Sequence, residues 1–183
     1  MKTFIAILRG INVSGSKPLK MDALRAMCET LKFKNVQTYI QSGNIVFKYK
    51  DTQPEVLEKL ITKKLKEVFS YDVPVIVIEA NELKKVIQSN PFVNQRKLDT
   101  GLHITFLSQV PEKVNFDKIK ELTFGEDEFI LSGKNIYLFC PVSYGNSKLS
   151  NTFFENKLKV TATTRNWKTI NELSTIAENI QTK

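Results

Sequence analysis

Two stretches of this chain, "YIQSGNIVFKY" at residues 39–49 and "FILSGKNIYLFC" at 129–140, resemble each other residue by residue and constrain the fold more than any other feature. Each alternates apolar and polar positions around a turn of Gly, Ser and Asn. That is a β-hairpin signal, because a tight turn between strands needs positive φ, which Gly and Asn tolerate. The recurrence implies an internal duplication.

The flanking segments repeat in the same order. "TFIAILRG" alternates like a strand, and residues 20–33 place Leu24, Met27, Cys28 and Leu31 at helical spacing. After the first hairpin, Pro54 suits the first turn of a helix with an apolar stripe of Leu57, Leu60, Ile61, Leu65, Val68 and Phe69. "VPVIVIEA" is a strand, and Asn81 is placed to cap the short helix "ELKKVIQ". The second copy runs from "LHITFLS" through a short helix at 115–123, the second hairpin, a helix at 147–158, the strand "VTATT" and a helix at 169–181. Thr169-Ile170-Asn171-Glu172 fits a capping box at the start of that last helix.

The expected class is therefore α+β: two tandem ferredoxin-like βαββαβ units with extra helices, on antiparallel or mixed sheets. The first unit spans 1–92 and the second 101–183, with 93–100 as linker. One mixed sheet shared by both halves is the alternative.

This topology brings chemistry-bearing residues together. In the first repeat the end of strand one lies beside the turn joining strands two and three, which gathers Arg9, Gly10, Asn12, Gln41, Ser42, Gly43 and Asn44. Gly10 and Gly15 let the backbone turn and approach a ligand, while Arg9 supplies a planar cationic fork. In the second repeat strands three and four end together, carrying "PVSYGNSKL" and "TTRNWKT". Ser147 and Lys148, with Arg165, Asn166 and Trp167, then lie near helix N-termini that favour an anion. Trp167 is either a core anchor or a stacking surface. "YGNSK" lacks the spacing of a phosphate-binding P-loop.

Charge points the same way. The chain carries a net charge of +8, and its first 50 residues hold nine Lys or Arg against two acids. A basic field concentrates phosphates, nucleic acid and anionic metabolites, although a lysine-rich solvated surface gives the same count. Only four of the 27 basic residues are arginines: Arg9, Arg25, Arg96 and Arg165. Arginine is the residue suited to bidentate binding of phosphate or carboxylate.

Other classes find little support. No acid lies within 8–17, 39–49, 143–154 or 161–168, so paired-carboxylate catalysis has no seat in these loops. Glu79, Glu155 and Glu172 are the acids that would have to be brought in from elsewhere. Neither Ser42 nor Ser147 has a histidine nearby, and the single histidine, His103, reads as packed on a strand. With Cys28 and Cys140 scattered, no metal site is expected. The sequence implies no cofactor. It contains no apolar run of membrane-spanning length and no signal-peptide pattern, which sets the expectation of a cytoplasmic protein without membrane partners.

The segments "ILRGINVSG", "TYIQSGNIVF", "NPF", "YGNSKL" and "TATTRNWKTINEL", in this order, resemble the bacterial domain of unknown function 1697 family over nearly the whole chain. The resemblance implies tandem α+β units and flags these motif residues, without supplying an activity. The leading expectation is binding of a phosphate-bearing or otherwise anionic ligand, a nucleotide or nucleic acid, through the Arg/Lys/Asn/Gly loops. Arg9 and Arg165 would clamp it, Lys148 would add charge, and Asn12, Asn44 and Asn166 would donate hydrogen bonds. The alternatives are a transferase or hydrolase acting on a phosphorylated small molecule, and a structural scaffold. The sequence leaves the oligomeric state open.

Overall fold

The computed structural model describes residues 1–13, 15–93 and 99–182. Most of the expected linker, residues 94–98, lies outside them and includes Arg96. The chain is α+β, and the described residues form two four-stranded antiparallel sheets and six α-helices. It divides into two compact units, residues 1–85 with 172–183, and residues 86–171.

In the first unit β1 (Lys2–Leu8) leads to α1 (Met21–Thr30), the hairpin β2 (Lys34–Tyr39) and β3 (Asn44–Tyr49), α2 (Pro54–Phe69) and β4 (Val75–Glu79). The sheet order is β2-β3-β1-β4 with every neighbouring pair antiparallel, so β1 and β2 run parallel with β3 between them. Phe4, Ala6 and Leu8 of β1 and Ile45 and Phe47 of β3 share one face. They pack against Leu24, Met27 and Cys28 of α1 and Leu57, Ile61 and Leu65 of α2. Phe33 stacks on Phe47 with ring centroids 4.1 Å apart. This apolar burial is the principal stabilising term. α3 (Ala80–Gln88) follows β4 without a break, so Asn81 lies inside the helix and does not cap it.

The second unit repeats the scheme with β5 (Leu102–Leu107), α4 (Lys113–Asp117), β6 (Glu128–Ser132), β7 (Asn135–Phe139), α5 (Asn151–Leu158) and β8 (Ala162–Asn166), in the order β6-β7-β5-β8. Its helices cover a face made by Leu107, Ile136, Leu138 and Ala162, with Phe154 and Leu158 of α5 buried against it. Three helix boundaries differ from the sequence expectation. α4 starts at Lys113 and is short. α5 begins only at Asn151, because Ser150 is the N-cap and accepts the Phe153 N–H, while Tyr144–Asn146 form a separate 3-10 turn. α6 (Trp167–Gln181) starts directly after β8, capped by Asn166, whose Oδ1 accepts the Thr169 N–H at 2.8 Å. The capping-box assignment at Thr169 is thereby corrected.

The duplication reaches individual hydrogen bonds. Leu8 N–H donates to the Gly43 carbonyl of its hairpin turn, and Leu107 N–H donates to Lys134 in the other unit, both at 2.8 Å. One residue later Arg9 N–H donates to Pro74 O, and Ser108 N–H to Thr161 O, joining the end of β1 or its counterpart in the second unit to the residue just before the edge strand. In each unit a helix glutamate reaches that edge strand. Glu58 of α2 accepts the Val77 N–H and Glu155 of α5 accepts the Ala162 N–H, each at 3.0 Å. These bonds satisfy buried backbone donors that an edge strand would otherwise leave open.

Candidate functional site

The expected gathering around the β1 end is present in the first unit. After Leu8 the described loop residues are tied by hydrogen bonds, Asn12 N–H to Lys17 O, Ser16 N–H to Val13 O, and the Tyr71 hydroxyl to Pro18 O. Gly10 and Gly15 take positive φ there. Asn12 is the centre of this construction. Its amide donates to Leu19 O and to Gln41 O, both at 2.8 Å, and its Oδ1 accepts the Leu19 N–H at 2.7 Å. Asn12 is therefore a brace between the loop and the hairpin turn, and its hydrogen-bonding capacity is taken up by backbone rather than aimed at a ligand.

The turn is equally specified. A Cβ built on Gly43, whose φ is +77°, would lie 2.6 Å from Ile11 Cδ1 and 2.8 Å from Leu8 Cβ, so only glycine fits. Asn44 is fully buried and donates to Tyr39 O and Ser42 Oγ, which removes it from contact with any solvent-borne ligand. Ile40 is the unusual residue of the turn. It is β-branched, stands at φ +50°, and leaves its side chain 49% exposed. Such a conformation costs on the order of 1–2 kcal/mol and is held only by its surroundings.

Beside this braced loop lies an open cleft of about 450 Å³ lined by Lys20, Met21, Asp22, Arg25, Thr38, Ile40 and Gln41. Asn12 fixes two of its walls, since it holds Leu19, the neighbour of Lys20, against Gln41. Lys20 stands at the N-cap of α1, where it offers no side-chain cap, and so places its charge at the positive end of the helix. Arg25, one turn into α1, donates to Thr38 Oγ1 and to Asp22. Asp22 is 89% exposed, so this is a solvent-screened i,i+3 pair of small net value. Sequence reasoning missed Lys20 and Arg25 because α1 read as an ordinary amphipathic helix, and Thr38 because it read as one polar position of a hairpin strand. The available signal was the rarity of arginine in a lysine-rich chain.

The second gathering also forms, but around a residue read from sequence as merely packed. β7 and β8 end beside the start of β5, with Phe139 opposite Leu102 and Asn166 opposite His103. Tyr144 of the 3-10 turn stacks on His103 with ring centroids 4.7 Å apart. His103 Nδ1 lies 3.2 Å from Gly101 O, and burial pushes the imidazole pKa below its ordinary value, the Gly101 carbonyl opposing this. The Thr105 hydroxyl donates to Thr164 Oγ1, which donates on to Asn151 Oδ1, tying β5, β8 and α5 together.

Its expected ligand-binding residues are mostly engaged within the unit. Arg165 bonds Thr163 Oγ1 and Thr164 O, and burial lowers its pKa to about 10, with Tyr144 acting in the opposite direction. The half-buried guanidinium is thus turned onto its own strand. Ser147 donates to Asp127 at 2.6 Å while accepting the Leu149 N–H, so the unit does supply an acid that the loop sequences lack. Beside them burial, chiefly, raises the Cys140 thiol to about 11, which keeps it protonated and unreactive at neutral pH. Trp167 is half-buried at the start of α6, while Lys148 and Asn166 are exposed. Ser147 and Lys148 precede α5 by several residues and do not stand at its first turn.

Of the three acids considered as catalytic suppliers, Glu172 is exposed on α6 and the other two are engaged. Glu79 pairs with Lys2 at 3.0 Å, and Glu155 holds β8. Among the described residues no cluster of three His, Cys, Asp or Glu could hold a metal, and no helix is long and apolar enough to cross a membrane.

Two antiparallel α+β sheets built on one repeated scheme, with a braced basic loop after the first strand, define the class. The profile of the family described as "Protein of unknown function (DUF1697)" matches residues 1–137, and the chain belongs to that family. Among solved structures it is similar to the conserved bacterial protein SP0830 from Streptococcus pneumoniae. That match has a TM-score of 0.66 at 22% identity and covers 96% of this chain and 98% of the other, a likeness of fold. No curated protein matches the chain.

Proposed function

We propose that the first unit binds the phosphate of a nucleotide or nucleic acid in the cleft between α1 and the β2–β3 turn. The observation that carries this reading is the pairing of Lys20 and Arg25 on the walls of one open cleft, with Asp22 as Arg25's exposed partner. An incoming phosphate oxygen replaces Asp22 at little cost, because the surface pair contributes little, and gains a charge-assisted bond from a guanidinium already oriented by Thr38. The cleft volume falls in the range of small-ligand sites. Arg9 and Gly10 belong to the supporting loop in this reading, and Gln41 adds an exposed amide. The same reading places the protein in the cytoplasm, in keeping with its two buried free cysteines.

The test is a titration of the ¹⁵N-labelled full chain with inorganic phosphate, mononucleotides and single-stranded oligonucleotides at low salt. Shifts confined to residues 20–25 and 38–41 are expected. A response to mononucleotides identifies a small-ligand site, and a response to oligonucleotides alone identifies nucleic acid. Silence of these residues toward all three probes would overturn the proposal.

A further inference from the structure

The first unit has another cleft, at the opposite end of β1 from the braced loop. It measures about 330 Å³, and its walls include Lys2 and Thr3 of β1, Lys48 of β3, Glu79 of β4, Asn81 in the first turn of α3 and Gln181 at the end of α6. Thr3 and Lys48 are direct cross-strand partners in the β1–β3 register. Strand alternation puts both on the face opposite Phe4 and Phe47, so their side chains are neighbours there.

Neither of the two has an internal partner. Thr3 is only 3% exposed, yet its hydroxyl makes no hydrogen bond among the described residues. Its oxygen is not sealed off, and the surface it reaches is the cleft. Lys48 is half-buried and makes no ion pair among the described residues. A buried hydroxyl and a half-buried ammonium without partners are both costly. Lys2 differs, since it is held by Asp51 at 3.1 Å and Glu79 at 3.0 Å. Of the two cleft lysines, Lys48 is the one with charge to offer a ligand.

We infer that this cleft binds a small carboxylate, whose oxygens take the Lys48 ammonium and the Thr3 hydroxyl, while the exposed amides of Asn81 and Gln181 meet its other polar atoms. A single available lysine matches a single negative charge. Glu79 and Asp51 already outnumber Lys2, so a second negative charge on the ligand would meet repulsion. The cleft walls contain no arginine to engage a phosphate through two parallel bonds, and the volume is at the small end of ligand sites. The site shares no lining residue with the Lys20–Arg25 cleft and does not rest on that reading.

Titration of the ¹⁵N-labelled full chain with sodium acetate and sodium lactate, against sodium chloride and sodium phosphate at equal ionic strength, tests this. Saturable shifts at residues 3, 48, 81 and 181 are expected with both carboxylates, roughly in the millimolar range for ligands of so few atoms. Phosphate should act on these residues more weakly. Thr3→Val keeps the side-chain shape and removes only the hydroxyl. It should weaken carboxylate binding at least about threefold without lowering the thermal midpoint, because that hydroxyl supports nothing internal. Lys48→Met, which keeps an apolar stem, should abolish saturation. The inference is overturned by the absence of saturable shifts, by their reproduction with chloride, or by phosphate binding as tightly as acetate. Affinity unchanged in either variant, or a Thr3→Val chain that melts lower, overturns it as well.

Discussion

Gly43 is the most demanding single position in the first unit. Its positive φ and the contacts waiting at 2.6 and 2.8 Å act together, so Gly43→Ala must move Ile11 or open the turn. A loss of about 2–4 kcal/mol is expected, read as a lowered denaturant midpoint at unchanged slope. Asn12→Ala removes three backbone contacts at once and should cost about 2–3 kcal/mol. It should also weaken phosphate binding, because the cleft walls lose their common anchor. Arg25 and Asp22 separate affinity from stability: Asp22→Asn removes a competing carboxylate and should tighten phosphate, while Arg25→Lys should weaken it several-fold by losing the planar fork. Calorimetric titration with phosphate or nucleotide checks both.

The edge strands and helix starts carry the next predictions. Glu58→Gln and Glu155→Gln occupy matching places in the two repeats, each keeping an acceptor for an edge-strand N–H but losing its charge. Each should cost no more than about 1–2 kcal/mol, whereas the alanine variants, which leave the donor unmet, should cost more. Chemical denaturation of the four variants tests the parallel. His103, on β5, gives the second unit a pH dependence with a definite sign. Burial depresses its folded pKa below 6.5, so the unfolded chain takes up a proton first as the pH falls. Stability present above the unfolded value is therefore lost progressively toward the folded one. His103→Gln should flatten that part of the profile, measured as unfolding free energy between pH 7 and 4.

For the molecule as a whole, the basic first 50 residues bias it toward anions, and binding should fall with added salt. Two cleft cations predict a log–log salt slope of about −1.8 on duplex and about −1.4 on single-stranded nucleic acid, far shallower than that of a protein tracking many phosphates. The element order, the duplication and the gathering of the "RGINVSGSK" loop beside the "QSGN" turn were all legible in the sequence, because hydrophobic periodicity and turn chemistry are local and pairing order follows from them. The boundaries of α5 and α6 were less so. Ser150 and Asn166 won the capping positions over earlier and later candidates only once the strands had fixed where each helix could start. What the chain's order of residues could not decide was which arginine lines an open cleft. Arg165 follows a strand pattern as inviting as that of Arg9, and Arg25 lies on an unremarked helix, yet Arg165 is desolvated and Arg25 lines the cleft. Exposure of a side chain depends on what distant segments pack against it, and that is settled only by tertiary structure.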